Sequence, residues 1–220
     1  MVRKALSVPC APKGQTSANR PEKSWYFERV RTRQLPMDRY AIHDKYEHVS
    51  IPGSSQGIEL DAWWIPAKKA TKKTVILIHG VTSSKHSPRM LFLAGLYHQA
   101  GMNVLSFDLR NHGLSSCPTG MHTAGQYESK DVQAVMSWLQ ANHDISARNI
   151  GLHGISLGGI TALVTMGVDT RAAAVIAETP AYNLSEVARS ELRSKGVPER
   201  IVPLLLRLET VLTRWGSGIS

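Results

Sequence analysis

The rhythm of apolar and polar positions changes repeatedly along the chain, and each change marks an element. Tyr46–Ile51 alternates as a half-buried strand does, and Ile58–Ile65 alternates again, with Trp63 and Trp64 near its end. The turn residues Pro52-Gly53-Ser54-Ser55-Gln56-Gly57 lie between them, so the pair predicts an antiparallel hairpin. Thr74-Val75-Ile76-Leu77-Ile78 does not alternate; it is one apolar, β-branched run, as a strand buried on both faces requires. Pro88–Gln99 has helical periodicity closed by Gly101, and Asn103–Leu109 reads as the next strand. Glu128–Asn142 is an amphipathic helix with Val132, Val135, Met136 and Leu139 on one face. A strand begins at Ile150, a run of small and branched apolar residues after Ser156 predicts a helix, and Ala172–Ala177 is a last short strand. Ser24–Ala41 offers a short lead-in helix, and Leu184–Leu212 reads as helical twice, broken at Gly196-Val197-Pro198.

Strands that alternate with helices bury both faces of a sheet only if the strands run parallel with helices on each side. The expected fold class is therefore α/β: a mostly parallel sheet, an N-terminal antiparallel hairpin at its edge, and helices on both faces. Within 220 residues, 42% hydrophobic and 20% charged, this allows one compact core. The expected partition is a flexible basic segment over 1–40, the core over 41–183 and a helical segment over 184–220.

Charge adds little to this picture. The net charge is +9, and residues 1–39 carry nine Lys or Arg against three acids, a net of +6. No recognition motif or interleaved aromatics accompany these charges, so a solvated arm is expected rather than a specific nucleic-acid site. No run of 18 apolar residues exists, so no transmembrane segment is expected. The first residues lack the apolar core of a signal peptide. The two cysteines, Cys10 and Cys117, have neither disulfide-framework nor metal-ligand spacing. They predict reduced thiols, a cytoplasmic location, and no metal or cofactor.

Candidate chemistry sits in three polar, glycine-containing loops, His79–Ser84, Asp108–Ser115 and Gly154–Gly159, each following a predicted strand. In an open α/β sheet the carboxyl ends of strands are where ligands bind. In the third loop, Gly154-Ile155-Ser156-Leu157-Gly158 has the form of a strand, a tight turn carrying one serine, and a helix start. Glycine is needed on either side because a side chain there would collide with the neighbouring strand or helix. The three loops in this order resemble those of the α/β-hydrolase superfamily, from roughly Tyr46 to the C-terminus. They are most similar to its serine esterase, lysophospholipase and serine aminopeptidase-like branch.

The resemblance implies that Ser156 is a nucleophile and that the backbone N–H groups of Val81 and Leu157 form its oxyanion hole. It implies a small-molecule acyl substrate with an ester, thioester, lysophospholipid or peptide bond. His79 precedes the serine, contrary to the superfamily's order of Ser, acid, His, so it is expected to shape its loop. Asp108 and His112 are expected to order the second loop through backbone bonds, His86 to lie at the surface rather than line the pocket mouth, and Glu178 to be a structural acid rather than the acid that a few relatives use to orient a histidine. No histidine follows His153. The superfamily pattern calls for an acid after strand seven and a histidine after strand eight, whereas six strands are predicted here. The expectation is a truncated hydrolase, inactive or weakly active, with a sheet edge open to self-association. A non-catalytic binding module on the same fold is the alternative.

Overall fold

The computed structural model describes residues 8, 19–24, 37–180, 189, 193 and 196–204. Six strands occur among them: β1 (Glu47–Pro52), β2 (Glu59–Ile65), β3 (Thr74–Ile78), β4 (Asn103–Phe107), β5 (Ile150–Ile155) and β6 (Ala174–Glu178). They form one sheet in the order β1-β2-β4-β3-β5-β6. β1 and β2 pair antiparallel, β2 joins β4 antiparallel, and every other pairing is parallel. The helices are α1 (Pro88–Gln99), α2 (Gln126–His143) and α3 (Leu157–Val168). This is the expected α/β fold with its antiparallel hairpin at one edge.

The central strand shows why the sequence takes this form. Every residue of β3 is buried, and alternate side chains enter different cores. Val75 and Leu77 pack with Met90, Leu91 and Ala94 of α1, whereas Ile76 and Ile78 join Val132, Val135 and Leu139 of α2 and Leu157 and Ala162 of α3. A strand sandwiched in this way has no polar face, which explains its continuous apolar run.

Element ends differ from expectation where side chains claim the backbone. Asn103–Leu109 was expected to be one strand, but β4 stops at Phe107 and the Leu109 N–H donates to His79 Nε2 at 3.0 Å. α2 begins at Gln126, two residues before the expected Glu128. The fully buried Glu128 carboxylate accepts from the backbone N–H groups of Thr123 (2.7 Å) and Gly125 (2.9 Å), satisfying donors ahead of the helix. α1 starts on an Ser87 cap and has proline at its first turn. The lead-in helix expected over Ser24–Ala41 lies mostly outside the described residues; its end, Met37–Tyr40, is a short 3-10 turn.

All six strands belong to one compact unit, Val8–Pro180. The second unit comprises residues 1–7 and 181–220, so most of the helical reading of Leu184–Leu212 lies outside the described residues. Within it, Glu199 accepts from Arg189 at 2.8 Å and from Arg193, and these guanidinium bonds pull its carboxyl down to about 2. Among the described residues no helix is long and apolar enough to cross a membrane.

Candidate active site

The sheet order reverses beside β3: the chain goes from β3 to β4 on one side, and β5 lies on the other. The loops after these three strands therefore meet at one end of the sheet, where a crevice is expected in this topology.

The turn at Ser156 is set by steric exclusion. Ser156 has φ 54° and ψ −115°, a conformation that costs a non-glycine residue about 1–3 kcal/mol. Surrounding packing leaves it no other. A Cβ on Gly154 would come within 2.0 Å of the Gly158 carbonyl oxygen, and one on Gly158 within 2.0 Å of the Ile78 carbonyl oxygen. The start of α3 is thus pressed against the ends of β3 and β5. The Ser156 N–H donates to the Glu178 carbonyl at 2.9 Å, and the Ile160 N–H donates to the Ser156 carbonyl at 3.0 Å. Leu157 is the first residue of α3, so its N–H belongs to the unpaired first-turn donors with their partial positive charge.

The loop after β3 approaches this serine closely. A Cβ on Gly80 would lie 3.2 Å from the Ser156 Cβ and 3.2 Å from the Ile155 carbonyl oxygen. Val81 follows, partly buried, and Thr82 adopts φ 55°. His79 is completely buried; its Nδ1–H donates to the Gly80 carbonyl at 2.8 Å and its Nε2 accepts from Leu109. That pattern fixes a neutral ring. Burial, followed by the neighbouring His112, lowers its pKa to about 4. His79 shapes its loop, as expected.

The second loop is organised around Asp108, which is fully buried. Its carboxylate accepts from the N–H of Lys85 (2.7 Å), the N–H of Leu114 (2.9 Å) and the Lys85 ammonium (2.8 Å). Burial alone would raise its pKa, but Lys85 and these bonds outweigh it and the pKa falls. His112 Nδ1–H donates to the Arg110 carbonyl at 2.9 Å, and burial keeps the ring neutral by lowering its pKa. His86 does not lie free at the surface. It is half-buried, with its ring centroid 4.5 Å from that of Trp63 in an edge-to-face contact and its Nδ1–H on the Asn19 carbonyl at 2.8 Å.

Polar groups that sequence reasoning missed surround the site. His153 Nε2–H donates to Glu178 at 2.7 Å, and its Nδ1 accepts from the Tyr97 hydroxyl at 2.8 Å. Arg89 binds the other Glu178 oxygen. Burial would raise the Glu178 pKa; the bonds from His153 and Arg89 lower it instead. Both ring nitrogens of His153 are engaged, so this histidine is not poised as a base for Ser156. Lys85 was also missed, since a lysine in a polar loop gives no sign in sequence that it is buried. Among the described residues, no group of three or more His, Cys, Asp or Glu is placed to hold a metal ion.

The comparisons with known proteins agree with this fold. The family model described as serine aminopeptidase, S33, matches residues 69–216, which include β3 to β6 and α1, α2 and α3. The chain belongs to this α/β-hydrolase family. An uncharacterized protein, YqkD of Bacillus subtilis, is 35% identical over 114 residues, 52% of this chain and 35% of that protein. The polyketide transferase grgF of a Penicillium species is 25% identical over 149 residues, 68% of this chain and 47% of that protein. Among solved structures, an esterase of Pyrococcus furiosus superposes with a TM-score of 0.61 and 31% identity, over 71% of this chain and 58% of that one. The chain spans less than half the length of these two sequence relatives.

One expectation about cysteine fails. Cys117 is disulfide-bonded rather than reduced, and Cys10 lies outside the described residues. The cytoplasmic expectation, which rested on reduced thiols, loses that support.

Proposed function

We propose that this chain carries the nucleophile half of a serine hydrolase acting on acyl substrates of the ester or thioester type, with Ser156 as nucleophile. The backbone N–H groups of Val81 and Leu157 serve as oxyanion donors. The observation that carries this reading is the strained backbone of Ser156 at the head of α3, with the Gly80 backbone against its Cβ. This arrangement holds a hydroxyl away from the sheet, next to a loop whose N–H groups meet a developing oxyanion. The Pyrococcus furiosus esterase and an Aspergillus aculeatus relative named as a thiohydrolase (23% identical over 150 residues) support the substrate class.

The 220-residue chain turns over weakly or not at all. The sequence holds no histidine after His153, and His79, His112 and His153 are each tied to backbone or side-chain partners. A serine hydroxyl without a general base is a poor nucleophile at neutral pH. The oxyanion pocket and binding alone sustain roughly 10³–10⁴-fold over water in hydrolases stripped of triad members. The same missing base favours a second reading, a binding module that holds an acyl ligand without turning it over. The outer edge of β6, where Ile176 is 48% exposed, is the surface we assign to self-association.

A fluorophosphonate probe tests the nucleophile. Slow labelling of the full chain is expected, located by mass spectrometry on the peptide containing Ser156 and lost in Ser156→Ala. Labelling that survives Ser156→Ala overturns the assignment. Tight binding of an acyl ligand with no labelling at any time supports the binding module.

A further inference from the structure

Lys85 is fully buried, and its surroundings are unusual for a lysine. Its ammonium donates to Asp108 Oδ2 at 2.8 Å and to Asp61 Oδ1, and it stands 5.1 Å from the Trp63 ring centroid. Its own backbone N–H donates to the second oxygen of Asp108. Asp61 and Asp108 are neighbours in their own right, because the Asp108 N–H donates to the Asp61 carbonyl at 2.9 Å. One residue is therefore fastened through backbone and side chain to the facing ends of β2 and β4.

Removing an ammonium from water costs several kcal/mol even after relaxation, and an apolar residue would fill the same space without that cost. What the charge adds is direction. Lys85 closes the loop that begins at His79. The other end of that loop abuts Ser156 through Gly80, and its middle contains Thr82 at φ 55°. A loop holding a strained residue returns to relaxed conformations unless both ends are held. His79 holds one end through its bonds to Gly80 and Leu109; Lys85 holds the other.

We propose that Lys85 is a positioning residue for the oxyanion pocket: bound by Asp108 and Asp61, it fixes the 79–85 loop so that the Val81 N–H stays beside Ser156. This rests on the reading of Ser156 and Val81 given above. Lys85 touches no substrate in this role and transfers no proton. Its effect is to keep a donor in place before charge develops, which is the source of oxyanion stabilisation.

The test uses the full chain and an aryl trifluoromethyl ketone, which adds reversibly to a serine hydroxyl to give a hemiketal whose ionised oxygen occupies the oxyanion position. Fluorine NMR reads its dissociation constant and its pKa. Lys85→Met leaves Asp108 as an uncompensated buried charge and is expected to lose much of its stability, so the deciding variant is Lys85→Met with Asp108→Asn, which removes the ammonium and the fully buried carboxylate together and leaves the partly exposed Asp61. This double variant is expected to regain most of the lost thermal stability. Even so, its hemiketal binds about tenfold or more weakly and ionises at higher pH, a part of the 10²–10³-fold that loss of an oxyanion donor costs. Nitrogen relaxation dispersion, recorded without ligand, is expected to show new exchange at Gly80, Val81 and Thr82 in the double variant and flat profiles in the wild type. A folded double variant with wild-type hemiketal affinity and pKa overturns the role of Lys85 while leaving Ser156 standing. A wild-type chain that forms no hemiketal at Ser156 overturns the nucleophile reading and the pocket with it.

Discussion

Two loops face each other across the candidate site and are held by opposite means. The turn at Ser156 is fixed by absent side chains: glycines at 154 and 158 let backbone meet backbone. The loop from His79 to Lys85 is fixed by side chains that are present and polar, namely a neutral buried imidazole and a buried ammonium between two carboxylates. Steric fixation is rigid and indifferent to solution conditions. Polar fixation gives direction, at the cost of dependence on protonation state and on every partner being present.

Replacing a glycine breaks the steric side outright. Gly158→Ala puts a methyl group 2.0 Å from the Ile78 carbonyl, in the middle of the sheet, where no flexible side chain yields. We expect a loss of roughly 4 kcal/mol or more, read by chemical denaturation, with failure to accumulate folded protein as the extreme case. A stable, normally folded Gly158→Ala protein would show that α3 is not pressed on β3 as described.

The polar side is sensitive to acid. His79 is held neutral with a pKa of about 4 against an ordinary value of 6.5, so between those values the unfolded chain binds the extra proton. Stability attributable to His79 is intact above pH 6.5, falls as pH drops through that window, and levels off below about pH 4. The full effect is on the order of 3 kcal/mol. Denaturation curves across this range should therefore be flatter in His79→Gln than in the wild type, while Ser156 variants keep the wild-type slope. An equal slope in His79→Gln would assign the acid sensitivity elsewhere.

The smallest effect has the opposite sign. Ser156→Gly removes the Cβ from a residue at φ 54° and should raise stability by about 1 kcal/mol as it abolishes labelling. A thermal shift of the wrong sign would mean that the backbone at Ser156 is not strained.

The same contrast governs what could be read from the sequence. Glycine-serine-glycine spacing and apolar runs are local, so the Ser156 turn, the hairpin, β3 and the buried face of α2 were legible one stretch at a time. Lys85 and Asp61 lie 24 positions apart, and His153 and Glu178 lie 25 apart. Each of these looks like an ordinary exposed charge or a lone histidine until the sheet brings it to its partner. The reading of His86 failed for that reason: its neighbours, Trp63 and Asn19, are distant in sequence. The reading of Cys117 failed as well, because nothing in its local sequence signals a disulfide.

The order of strands in the sheet also bears on how the site is made. β1 and β2 pair across a short turn, a contact cheap in chain entropy and quick to close. β3 must wait for β5, since Thr74 pairs with Ile150 across more than seventy intervening residues, including α1, β4 and α2. Gly158 rests on the Ile78 carbonyl, so the serine turn takes its shape only once β5 has docked beside β3. The Ser156 turn therefore belongs to the slow, non-local part of folding, and any local opening that parts β5 from β3 dissolves it while the hairpin survives.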